Sequence, residues 1–139
     1  MNYVVYAVVA LLAYSLVPPL ADLATEEIPS NTAALISNSV LVVAAVAVVA
    51  YTGEWETSNL TGRHAVYAYT AGVFLAVGIL AYYRALELGP VSVVVPIFGM
   101  FIVGSAAVGV ALFGESVTLR KIVGVVLAVV AVYLVSVEP

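Results

Sequence analysis

Five stretches of this chain contain no Asp, Glu, Lys or Arg: Tyr3–Ala21, Ala33–Tyr51, Ala65–Tyr83, Val91–Phe113 and Ile122–Val137. The first four run 19 residues or more and the fifth runs 16. A bilayer core of roughly 30 Å is crossed by about 20 apolar residues in a helix, so four stretches already have spanning length. The fifth reaches it when Leu119 and the aliphatic stems of Arg120 and Lys121 are counted, because long cationic side chains bury their stems and leave the charge at the interface. Valine and alanine dominate all five. Valine favours strands in water, but a transmembrane strand alternates polar and apolar residues over about ten positions, and these stretches do not alternate. A helix also satisfies its own backbone hydrogen bonds, which lipid cannot do. The expected fold class is therefore all-α membrane protein, a bundle of five transmembrane helices, with residues 1–139 forming a single domain.

Composition closes the soluble alternative. Hydrophobic residues make up 65% of the chain and charged residues 9%, against about 25% charged in ordinary soluble domains. A net charge of -4, with only four basic residues, excludes a nucleic-acid partner, because phosphate neutralisation needs a basic patch. The chain has no cysteine, so disulfides and thiolate chemistry are absent.

Nearly all charge falls in short connections, Asp22–Thr32, Thr52–His64, Arg84–Pro90 and Gly114–Lys121. None has room for a soluble domain. Helix punctuation agrees with the spans: Pro29-Ser30-Asn31 can open the second helix, Gly89-Pro90 separates the third from the fourth, and Thr118 can N-cap the fifth. Met1-Asn2 lacks a basic flank and the run behind it is too long for a signal h-region, so the first span is expected to be retained. Five spans put the termini on opposite faces. Arg63, Arg120 and Lys121 then share the face of the N-terminus and Arg84 lies on the other, which favours an N-terminus inside by a small margin.

Polar residues within the spans are the candidate functional groups, since they are costly in lipid and face bundle interiors or cavities. No Asp, Glu or Lys lies in the middle of any span, which argues against a buried-carboxylate proton relay. His64 stands in a loop without partner ligands near it in sequence. No catalytic constellation, metal site or cofactor motif is legible, and an enzyme is not expected. Tyr82-Tyr83-Arg84, with Glu87 one turn later, is the most suggestive cluster. An interfacial anchor with an Arg84/Glu87 i,i+3 pair is one reading, and a substrate or gate contact is the other. Pro18-Pro19 and Pro96 free backbone carbonyls in the first and fourth spans, which suits either packing or a transport cavity. Asn38, between Ser37 and Ser39, can bond across helices or line a cavity. Tyr14 and Ser15 are similarly placed in the first span. The glycines at 99, 104, 109 and 114 wind around the helix instead of forming a stripe. The pairs Ser105/Gly109 and Gly124/Ala128 match the small-residue spacing of close helix contacts. Trp55 and Tyr3, Tyr51, Tyr82, Tyr83 and Tyr133 fall near span ends, as an interfacial aromatic belt would.

The second half carries a family pattern: Ala85-Leu86-Glu87-Leu88-Gly89-Pro90-Val91-Ser92, Val95-Pro96-Ile97, Leu112-Phe113-Gly114-Glu115, Thr118-Leu119-Arg120-Lys121 and Gly124. In order and spacing this resembles the EamA-like domain of the drug/metabolite transporter superfamily, in its small single-repeat form. The first half departs from that pattern. Tyr14-Ser15 stands where the family often has Trp-Gly, Asp22 near a frequent Lys, and Ser37 or Asn38 near a frequent Arg; Ile102 replaces a proline often found after Pro96. Nothing anion-binding stands at those positions. The resemblance implies a half-sized transporter of small metabolites or drug-like solutes in the cell membrane, working as a homodimer. Inverted-repeat transporters place the cavity between repeats of opposite orientation, so five spans require one copy inserted upside down, which the weak basic bias permits. A parallel homodimer or a second half-sized chain stays open. Tyr14, Asn38, Tyr82, Arg84, Pro96 and Gly99 are the residues expected to bind the solute. The competing expectation is a non-transporting membrane subunit packed against a partner protein.

Overall fold

The structure, a computed structural model, describes residues 2–55, 60–114 and 116–137. Its helices are α1 (Tyr3–Thr25), α2 (Ser30–Thr52), α3 (Arg63–Leu88), α4 (Val91–Gly99), α5 (Phe101–Phe113) and α6 (Leu119–Ser136). Five stretches are long and apolar enough to cross a membrane, α4 and α5 counting as one from Val91 to Leu112. The chain divides into two compact units, residues 1–88 and 89–139.

Caps set most helix limits. Asn2 opens α1 by accepting from the Val4 N–H at 3.3 Å, and Thr118 opens α6 by accepting from the Lys121 N–H at 3.3 Å, as expected of a hydroxyl at that position. Gly53 closes α2 and Gly114 closes α5, both in the left-handed conformation, with φ 72° and 63°. A glycine reaches it without the Cβ penalty. That gives Gly114, part of the family pattern, a structural task; its neighbour Glu115 lies outside the described residues. Gly89-Pro90 falls between α3 and α4 as expected, and the Pro90 carbonyl accepts from Val93 and Val94 at 3.0 Å.

Two spans differ in detail from the sequence expectation. Pro18 and Pro19 lie inside α1, which continues past them to Thr25. Lacking N–H groups, they leave the Tyr14 and Ser15 carbonyls without their usual helical donors. The fourth span is interrupted at Met100, one turn beyond Pro96, where the Met100 N–H bonds back three residues to Ile97 at 3.1 Å. The helix resumes at once, with Val103 and Gly104 both donating to Met100. In the second unit α4 packs against α6.

The first unit is packed at one end. Its buried residues are Ala21 and Thr25 of α1, Ser30, Ala33 and Ala34 of α2, and Tyr82, Tyr83 and Leu86 of α3. All eight sit where α1 finishes, α2 starts and α3 finishes. Alanines let the backbones approach, and the tyrosines and leucine of α3 supply the bulk. Towards the other end the side chains of the same helices are exposed almost without interruption. Tyr82 and Tyr83 were expected in an interfacial belt; instead they are core residues, their rings edge to face with centroids 6.4 Å apart. The reason is that α3 runs on to Leu88, so these rings fall inside the packed end.

Candidate functional site

Immediately inward of that packed end, α2 and α3 diverge around a cleft of ≈ 460 Å³. Asn31, Ala34, Leu35 and Asn38 line it from α2, and Gly72, Leu75, Ala76, Ile79 and Leu80 from α3. It is a groove open to the helix surface and not an enclosed cavity. The α2 residues recur at helical spacing and form one face. Across from them Gly72 contributes no side chain, and a Cβ built on it would meet no neighbouring atom. The lining carries no ionisable group and is apolar except for the two amides.

Asn38 is half-buried and locally fixed. Its Nδ2 donates to the Ala34 carbonyl at 2.7 Å, so the amide's own geometry is set within α2 and does not depend on another helix. Ser39 makes the analogous bond to Leu35 at 2.7 Å, as does Ser15 to Leu11 at 2.7 Å. These bonds let polar side chains lie on a spanning helix without an unsatisfied donor.

The remaining candidates fall in different places. Tyr82 lies in the packed end, one turn beyond the cleft. Arg84 is on the following turn, its Nη1 donating to Glu87 Oε2 at 2.6 Å, which is the i,i+3 pair expected from the spacing. Tyr14 is exposed on α1 and outside the cleft lining. Pro96 and Gly99 belong to α4 in the second unit, both half-buried, and a Cβ on Gly99 would meet open space. Of the expected binding residues, then, Asn38 alone lines the cleft. Asn31 was not singled out from the sequence, although its seven-residue separation from Asn38 puts both amides on one helix face two turns apart. Gly72 carried no signal beyond being a glycine in a span.

Among the described residues no three His, Asp or Glu side chains gather as metal ligands. His64 instead lies 6.4 Å, centroid to centroid, from the Tyr67 ring.

An uncharacterised transporter from the cobO 3' region of Sinorhizobium sp. is 35% identical over 106 residues, covering 76% of this chain and 75% of the relative. No solved structure matches. The profile of the EamA-like transporter family matches residues 1–137, so the half with the weaker pattern is included. With its spanning helices, the chain belongs to the EamA-like transporter family.

Proposed function

We propose that this chain is a half-sized transporter of small metabolites or drug-like solutes in the cell membrane, and that it works as an antiparallel homodimer by alternating access. Residues 1–139 act as one five-helix repeat. Two copies in opposite orientation supply the inverted pair around which one bundle rocks against the other. The observation that carries this reading is the match to the EamA-like transporter family over residues 1–137 together with five helices long and apolar enough to span a membrane; the open, uncharged groove between α2 and α3 that holds Asn38 is where the solute is proposed to pass.

In this reading Asn38 contacts the solute in the lipid-depth part of its path. Tyr82 and Arg84 shape the closed end above it, Tyr14 lies on the α1 side, and Pro96 and Gly99 give the second unit its irregular backbone. Because no Asp or Glu lies in the middle of a span, energy coupling through a buried carboxylate has no residue to use.

The test is uptake into proteoliposomes by topology-locked forms. Terminal lysines that fix one orientation are expected to abolish uptake, and co-reconstitution of oppositely locked forms is expected to restore it. Full activity from either locked form alone would reject the antiparallel pair. A lack of flux for every solute class, with co-purification of a larger complex, would instead support a membrane subunit serving a partner.

A further inference from the structure

The second unit carries a groove of its own, open along the surface of α6 and ≈ 430 Å³ in volume. Leu119, Arg120, Val123, Gly124 and Leu127 line it. Leu119, Val123 and Leu127 recur every four residues and make one ridge, and Arg120 and Gly124, also four apart, make the row beside it. Gly124 has no side chain, so that row falls away one turn deeper than Arg120 and leaves a furrow. A Cβ built on Gly124 would meet no atom within 4 Å. The half-buried residues of α6 are Val125, Ala128, Val132 and Ser136, on another side of the helix. The furrow is therefore not the face with which α6 packs on α4.

From Arg120 to Leu127 the groove runs about 10 Å along the helix axis. One leaflet of hydrocarbon is about 15 Å deep, half of the bilayer core. The furrow thus starts at the span end, where lipid headgroups lie, and reaches about two-thirds of the way through the leaflet. Its chemistry divides as a phospholipid does, with a cation at headgroup level and apolar surface below. Arg120 is exposed and makes no ion pair or side-chain hydrogen bond among the described residues, whereas Arg84 is held by Glu87 at 2.6 Å. A guanidinium presents its N–H donors as a planar fork that matches two phosphate oxygens.

We infer that this groove binds an anionic phospholipid, with the phosphodiester on Arg120 and an acyl chain in the furrow over Gly124, beside Leu119, Val123 and Leu127. Charge complementarity selects the occupant. A zwitterionic headgroup brings its own ammonium towards the guanidinium, whereas an anionic one does not. One basic side chain near the membrane surface corresponds to about a fivefold preference for anionic lipid. The inference is independent of transport, since it concerns only how α6 is seated in lipid.

To test it, the full chain in detergent micelles is equilibrated with equal amounts of dioleoyl phosphatidylglycerol and dioleoyl phosphatidylcholine, which share their acyl chains. Native mass spectrometry counts the lipid retained. The unaltered chain is expected to hold phosphatidylglycerol about fivefold over phosphatidylcholine. Arg120→Gln should remove that preference, and Arg120→Lys, which keeps the charge but not the fork, should retain part of it. Lys121→Gln removes an equal charge one residue away, outside the groove lining, and should keep most of the preference. Gly124→Leu leaves the charge and fills the furrow, so retention of phosphatidylglycerol should fall severalfold. Circular dichroism checks that helix content is kept, and Leu127→Ser, at a residue 62% exposed, gives a second reading of the furrow with Gly124 intact. No preference in the unaltered chain, equal loss in Arg120→Gln and Lys121→Gln, or full retention in both furrow variants would overturn the site. Displacement of the lipid by excess glycerol phosphate would also overturn it, leaving a site for the headgroup anion alone. Loss of a dimer in Gly124→Leu with lipid retention unchanged would assign the furrow to a second copy of the chain instead.

Discussion

The side chain of Asn38 bonds to the carbonyl of Ala34, one turn earlier on the same helix, with Nδ2 at 2.7 Å. The bond is made within one helix, so changing Asn38 does not remove a hydrogen-bond partner of another helix that this bond supplies. Its position on the cleft then becomes the property to test. Asn38→Leu is expected to alter stability by less than about 1 kcal/mol, because the bond lost is a single neutral one of net worth near that size. Uptake into proteoliposomes should nevertheless fall sharply. Unaltered uptake would remove Asn38 from the solute path.

Gly72 offers a second probe of the same cleft. A methyl group there meets no neighbouring atom, and glycine inside a helix costs roughly 0.5 to 1 kcal/mol relative to alanine. Gly72→Ala should therefore raise the melting temperature in detergent. Gly72→Leu should keep the fold but fill the cleft, and it should block solute entry. Parallel melting and uptake measurements on the two variants decide this.

Tyr83 and Leu86 are each 3% exposed in the packed end. Truncating a buried aromatic or leucine to alanine costs on the order of 2 to 5 kcal/mol in lost contacts and residual cavity. Tyr83→Ala and Leu86→Ala are expected to lower stability by such amounts, whereas Tyr83→Phe keeps the ring and most of the packing. Unfolding in mixed micelles against increasing sodium dodecyl sulfate measures the three together. A packed end that tolerates both alanines would contradict the burial pattern.

Thr118 caps α6 through the Lys121 N–H. Thr118→Ala should cost about 1 kcal/mol, and Thr118→Asn or Thr118→Ser should keep most of the stability, since each retains an acceptor oxygen. The effect should appear in hydrogen exchange as faster exchange of the Lys121 amide with little change at the far end of α6. Uniform acceleration along the helix would point to a loss of packing instead of a lost cap.

The spans were legible because their cause is local. Each uncharged run is long enough to cross a bilayer, and lipid forces it to be a helix, so Thr118, Gly89-Pro90 and Pro29-Ser30 marked their limits directly. The Arg84/Glu87 pair was legible too, since i,i+3 neighbours on a helix meet wherever that helix goes. The cleft was only partly so. Asn38 stood out as a polar residue in a span, but nothing in the pattern around Gly72 or Ile79 said which faces of α2 and α3 confront each other. Tyr82 and Tyr83 were misplaced for the same reason: an aromatic near a span end reads as an interfacial residue until the length of α3 and its neighbours are known.

Five spanning helices with their charge confined to the ends follow from the amino-acid order alone, because the cost of an unpaired charge or backbone group in lipid depends on the run it lies in and on little else. Which end of the first three helices is packed came from the fold alone, as did the burial of Tyr82, Tyr83 and Leu86 where α3 meets α1 and α2. Such a contact depends on how separate helices are set against one another. That arrangement comes from the fit of alanines against tyrosines across three helices, which the spacing within any single span does not record.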